Sequence, residues 1–263
     1  MGIELSLKGY HALVCGASAG IGRAAALALA SLGAEVTAVA RREEQLADLV
    51  PDLLAAGAPA ARYRVCDLER RDELAGVVEG LIAEHGPVHV LVNNTGGPPS
   101  GPLLEADEAD FLAPLGRHLF ASHLLVKALL PGMVEAGFGR IVNVISLSVR
   151  EPIVGLGVSN TIRGAMASWS KTLAKELPEC VTINNVLPGY TDTGRLRSLG
   201  EQLAARGGTT VEAIGEQWID KVPAARLGRP AELGATIAFL ATPAAAYIRG
   251  VSLPVDGGRL NGI

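Results

Sequence analysis

The stretch Ala12-Leu-Val-Cys-Gly-Ala-Ser-Ala-Gly-Ile-Gly22 decides how the rest of the chain is read. Leu13, Val14 and Cys15 finish a short apolar run with strand character. Gly16, Gly20 and Gly22 follow at the spacing GxxxGxG. Arg23 to Leu32 is rich in alanine and leucine and reads as a helix, which Gly33 stops. A strand, a glycine turn and a helix in that order aim unpaired helix N–H groups at a phosphate. Glycine serves where the backbone must turn sharply or approach a ligand closely, because a Cβ would intrude. Three glycines alone mark only a strand-to-helix turn. Their place between a strand and a helix, with a second strand after it, predicts a dinucleotide site.

That second strand is Glu35 to Ala40, and Arg41 and Arg42 follow at once. An acidic residue here would accept from a ribose 2′-hydroxyl and repel a 2′-phosphate. Two guanidinium groups suit a phosphate instead, so the sequence predicts NADP in preference to NAD. The alternative is that the two arginines open a solvated helix, Glu43 to Leu54.

Farther along, strands are expected at Ala61 to Cys66, Val88 to Val92, Gly139 to Ile145, Thr182 to Leu187 and Ser252 to Val255. Helices are expected at Arg71 to His85, Asp107 to Ala136 with a bend near Pro114, Gly155 to Leu177 capped around Ser159 or Asn160, and Pro230 to Ala241. The alternation predicts an α/β fold, a Rossmann-type doubly wound parallel sheet of about seven strands. Asn93-Asn-Thr-Gly-Gly-Pro-Pro99 and Pro188-Gly-Tyr-Thr-Asp-Thr193 stand at strand carboxyl ends, where such sheets bind ligands. Gly194 to Val222 is a polar excursion with helical pieces and reads as a lid.

No linker divides the 263 residues, so residues 1–263 are read as one dinucleotide-binding domain. The formal charge of −4 is spread along the chain and gives no electrostatic reason for nucleic acid or an anionic membrane as partner. No apolar run is long enough to span a bilayer, and Met1 to Tyr10 lacks a signal-peptide pattern. Cys15, Cys66 and Cys180 are not spaced for a metal or a disulfide framework, which suits a reducing cytoplasm.

Seven motifs now stand in order: Gly16 to Gly22, Asp67-Leu68, Asn93 to Gly96, the Ser146 strand end, Pro188 to Thr193, Gly228-Arg-Pro-Ala-Glu232 and Val255-Asp-Gly-Gly258. Almost end to end, the chain resembles the short-chain dehydrogenase/reductase family, in particular its 3-oxoacyl-(acyl-carrier-protein) reductase branch. Cys15 and Thr95 stand where threonine and alanine are usual. The resemblance implies cofactor contacts from Gly16, Ser18, Gly20, Ile21, Gly22, Arg41, Arg42, Asp67, Leu68, Asn94, Thr95, Gly96, Arg163, Pro188, Gly189, Thr191 and Thr193. It also implies a small-molecule substrate and a homo-oligomer, dimer or tetramer, packed through the helices at 107–136 and 155–177. The alanine-rich helix around Trp169 fits that interface, and core packing would explain it too.

The catalytic positions depart from the family. Ser146 keeps the serine position. Ser159 stands where the tyrosine general acid belongs, Arg163 where the lysine belongs, and His118 where the asparagine of the water relay belongs. A serine hydroxyl is short and far less acidic than a phenol. Arginine does not relay protons, though it donates to ribose hydroxyls and supplies charge. His118 can titrate near neutrality and donate a proton, or else is a helix residue with no chemistry; solvent, and Tyr190 as an outside candidate, are the other proton sources. Tyr10, Tyr63 and Tyr247 are expected to be remote, and Lys171 to be a solvated lysine too far along its helix to take over. The expected function is an NADP(H)-dependent oxidoreductase acting on a carbonyl or alcohol with an unusual proton donor. The alternatives are a nucleotide-binding protein without catalysis, acting as sensor or assembly partner, and a non-redox enzyme like the halohydrin dehalogenases. Those enzymes carry arginine at the lysine position, but keep the tyrosine and lose the glycine loop.

Overall fold

The computed structural model describes residues 2–98 and 100–262; Pro99, in the expected ligand tract, lies outside them. Seven strands form one sheet: β1 (His11–Cys15), β2 (Glu35–Ala40), β3 (Ala61–Val65), β4 (Val90–Asn93), β5 (Gly139–Val144), β6 (Val181–Pro188) and β7 (Ser252–Val255). Their order is β3-β2-β1-β4-β5-β6-β7, every pairing parallel. The order reverses between β1 and β4, so a crevice opens at the carboxyl ends of those strands.

Strand alternation divides the core in two. Val14 on β1 and Val90 and Val92 on β4 face one layer, with Leu29, Leu46, Leu49, Leu53, Ile237 and Leu240. That layer belongs to α1 (Gly20–Ser31), α2 (Glu43–Ala56) and α9 (Pro230–Ala241). Leu13 and Leu91 face the other layer, with Leu74, Val78, Leu81, Leu125, Leu129 and Met133. Those side chains come from α3 (Arg71–His85) and α5 (Ala121–Glu135). Truncating one such leucine to alanine costs about 2–5 kcal/mol.

Two elements differ from the sequence expectation. The helix expected across 107–136 is three pieces: α4 (Glu108–Leu115), a π-helical turn (Gly116–Phe120) and α5. Pro114 has no N–H to give the helical ladder, and the next turn widens. Asp107 and Asp110 form a reciprocal cap at the start of α4. Next, α6 (Gly157–Glu176) begins before Ser159, and neither Ser159 nor Asn160 caps it. Asn160 instead donates to the Ile153 carbonyl at 2.9 Å and accepts from its N–H at 3.4 Å, folding the preceding loop over. Gly155, at φ +78°, makes the turn. A Cβ on Gly157 would lie 2.6 Å from Leu103, so helix and loop pack there backbone to side chain. The helical pieces expected in the excursion at 194–222 are a pair, α7 (Gly194–Gly207) and α8 (Val211–Ile219). Thr193 and Thr210 cap the two helices, and Ala204, Ile214 and Trp218 hold them together.

Candidate active site

A cavity of about 610 Å³ runs along the carboxyl ends of the strands. One end is lined by Ala40, Arg41, Arg42, Cys66, Asp67 and Leu68. Arg42 Nη2 donates to Ser18 Oγ at 3.0 Å, and Arg41 pairs with Asp67 at 3.7 Å. The middle is lined by Gly16, Ser18, Gly20 and Ile21 on one wall and Asn94, Thr95 and Gly96 on the other. Here α1 starts at Ala19 without a side-chain cap and without an acid in its first turn, leaving its N–H groups for a ligand. Gly16 takes φ +61°, and a Cβ there would lie 2.6 Å from Asn94. Asn94 Nδ2 donates to the Cys15 and Gly16 carbonyls, both at 3.3 Å, and so fixes the loop from the neighbouring strand. Gly22 does not line the cavity. Its Cβ would lie 2.2 Å from the Gly16 carbonyl oxygen, so its smallness lets helix and loop pack. These features fit a dinucleotide: amides for a pyrophosphate, two arginines for a phosphate on the far ribose.

Ser146, Ser159, Arg163, Pro188, Gly189, Thr191 and Thr193 line the remainder. Ser146 Oγ accepts from the Ser148 N–H at 3.1 Å, which leaves its own O–H to donate into the cavity. Arg163 is only 7 % exposed, and its Nη1 donates to the Val144 carbonyl at 2.9 Å. Burial first, then Arg195 and Arg117, pull its pKa down to about 10. It therefore stays charged at neutral pH.

His118 sits in the π-helical turn and is 2 % exposed. It is absent from the cavity lining and hydrogen-bonds to the Thr95 hydroxyl. Burial, then the charges of Arg163 and Arg117, hold its pKa well below the ordinary imidazole value; a bond to the Gly96 backbone opposes this. Against the expectation that His118 titrates near neutrality, burial and the neighbouring arginines disfavour its charged form, and the ring hydrogen-bonds to Thr95 away from the cavity lining. Lys171 is exposed and does not line the cavity, as expected; its Nζ donates to the Gly250 carbonyl at 2.9 Å. Of the four tyrosines, Tyr190 alone lines the cavity among the described residues.

A family model described as enoyl-(acyl carrier protein) reductase matches residues 16–259. The 3-oxoacyl-(acyl-carrier-protein) reductase FabG of Pseudomonas aeruginosa is 31 % identical over 255 residues, covering 97 % of this chain and 98 % of the relative. The chain belongs to the short-chain dehydrogenase/reductase family. Among solved structures, L-sorbose reductase from Gluconobacter frateurii complexed with NADPH and L-sorbose superposes with TM-score 0.92 at 27 % identity, covering 99 % of this chain and 100 % of that one. Actinorhodin polyketide ketoreductase with NADPH gives 0.90 at 32 % identity, covering 96 % and 98 %.

Within this short-chain dehydrogenase/reductase, several cavity residues have no counterpart in the sequence reading. Arg117 donates to Glu69 at 2.6 Å on the rim. Arg195 Nη2 donates to the Pro98 carbonyl at 2.6 Å, and Arg259 lies 4.7 Å above the Tyr190 ring, which stacks on Trp218. No motif or period marks these positions; only the count of two tryptophans singles out Trp218 in a polar segment. A second unforeseen feature lies under the site. Asn93 Nδ2 donates to Asn143 Oδ1 at 2.8 Å, Asn143 Nδ2 to Asn185 Oδ1 at 2.9 Å, and Asn185 Nδ2 to Ser252 Oγ at 3.0 Å. This polar ladder crosses the sheet from the carboxyl end of β4, through β5 and the middle of β6, to the first residue of β7.

Proposed function

We propose that this protein is an NADPH-dependent carbonyl reductase in which water, rather than a side chain, protonates the product oxygen. The observation that carries the reading is that the nucleotide cradle and Ser146 are intact while the imidazole is walled off and Ser159 borders open cavity. Bound NADPH supplies the hydride. Arg41 and Arg42 hold its 2′-phosphate, and the amides at the start of α1 hold its pyrophosphate. Ser146 donates to the carbonyl oxygen and fixes its position. Arg163, charged and desolvated, stabilises the negative charge that grows on that oxygen, a role that low dielectric strengthens. Water beside Ser159 gives the oxygen its proton, and the resulting hydroxide is neutralised by bulk solvent. The helical pair at 194–222 acts as a lid over one continuous domain. Leu112 and Phe120, exposed on the α4 to α5 segment, support assembly into a dimer or tetramer.

Single-turnover reduction of a ketone panel, followed by loss of NADPH absorbance, tests this reading. The rate should be flat from about pH 5.5 to 8, with no imidazole step. His118→Asn should change it by less than about threefold, far below the 10² or more of a lost general acid. The double substitution Ser159→Tyr with Arg163→Lys should raise it by restoring a phenol. A rate that collapses in His118→Asn would return the proton to the imidazole. Tight NADPH binding without reduction of any ketone would favour a nucleotide-binding protein that performs no chemistry.

A further inference from the structure

The charge of the cavity departs from that of the protein. The chain carries a formal −4, yet the cavity is lined by Arg41, Arg42, Arg117, Arg163, Arg195 and Arg259 against one carboxylate, Asp67. Some of this charge has a partner or a phosphate to meet. Asp67 pairs with Arg41, Glu69 with Arg117, and Arg41 and Arg42 stand at the ribose end. Arg163, Arg195 and Arg259 form no ion pair among the described residues. The Nε of Arg259 is buried without a hydrogen-bond partner. Of these, Arg163 is buried and feels the charge of Arg195, while Arg195 and Arg259 keep part of their surface open to a ligand.

Arg259 also lies against an apolar wall, in the cavity that Arg195 lines. Arg259 covers Tyr190, whose ring stacks on Trp218 at a centroid distance of 5.4 Å. Leu199 and Leu203 of α7 pack against the same cluster and line the same cavity. Cations along the edge of an aromatic and aliphatic surface match a ligand with an apolar body and an acidic end.

We propose that the carbonyl substrate is an oxo acid, its body laid on Tyr190, Trp218, Leu199 and Leu203 and its carboxylate held by Arg259 and Arg195. The proposal rests on the reductase reading for the word substrate, but the binding it asserts is measured separately. Pyruvate, 2-oxooctanoate and 2-oxo-4-phenylbutanoate, each beside its ethyl ester, are titrated calorimetrically into the NADP⁺-loaded protein. NADPH consumption is then followed with the same compounds. At least one of the two larger acids should bind about tenfold or more tighter than its ester, the worth of a charge-assisted contact. Arg259→Gln and Arg195→Gln should each remove about tenfold of that preference and leave the ester's affinity alone. Should Arg259→Gln fail to fold by circular dichroism, Arg195→Gln, at the exposed start of α7, carries the comparison. Selective binding of the acid without NADPH consumption supports the anion site and overturns the reductase. Equal affinity for acid and ester, no binding of any acid at millimolar concentration, or a preference untouched by the substitutions overturns the anion site, whether or not NADPH is consumed.

Discussion

Replacing Arg163 by methionine should make the protein more stable and less active. At pH 7 the guanidinium is charged, since pH 7 lies well below its folded value of about 10. That value is depressed from the ordinary guanidinium range, so the charged form is penalised in the fold at every pH below about 10, and the penalty is relieved only as pH rises above it. The shift corresponds to about 3 kcal/mol. Methionine fills a similar volume without a charge, but it abandons the 2.9 Å bond to the Val144 carbonyl, worth about 1–2 kcal/mol. The net gain is about 1–2 kcal/mol. For a chain of this size that raises Tm by about 2–6 °C. Ketone reduction should fall by about 10²–10³, as when a group that stabilises developing charge is lost. Thermal unfolding at pH 7 and single-turnover kinetics measure the two effects. A lower Tm in Arg163→Met would show that the buried charge is already compensated, and would refute both the energetic reasoning and the role given to it.

Other consequences follow from neighbouring geometry. Arg42→Ala removes the guanidinium beside Ser18 and should weaken NADPH by about 1–2 kcal/mol while leaving NADH unchanged; fluorescence titration of both cofactors decides, and equal losses would place the phosphate elsewhere. Asn143→Leu leaves the Asn93 amide and the Asn185 carbonyl without their partner in a fully buried ladder, and should cost about 3–5 kcal/mol in denaturant unfolding. His11, 4 % exposed and bonded to Thr37 at 2.8 Å, has its pKa lowered to about 4, first by burial and then by Arg62. An unfolded chain takes up that proton at about 6.5, so stability present above pH 6.5 should fall by about 3 kcal/mol as pH drops to 4. His11→Gln should flatten that part of the stability profile, and an unchanged slope would assign it to other groups.

The sequence by itself determined the order of elements and the dinucleotide end of the site. Strands with apolar residues on both faces, and glycines where a Cβ meets backbone, are local requirements that leave a local trace. Gly16 shows why: its positive φ and its contact with Asn94 allow almost no other residue. The resemblance to the family, not local spacing, marked Ser159, Arg163 and His118 as departures, because it says which residue type each position should hold. Where those side chains stand, and what surrounds them, was decided only by the tertiary structure. The ionisation of His118 depends on the burial given by the π-helical turn and on arginines distant in sequence. Arg117, Arg195 and Arg259 meet one cavity from three separate segments, and Asn93, Asn143 and Asn185 meet across the sheet. Electrostatic energy and hydrogen-bond satisfaction depend on distances in space, and no spacing along the chain records them.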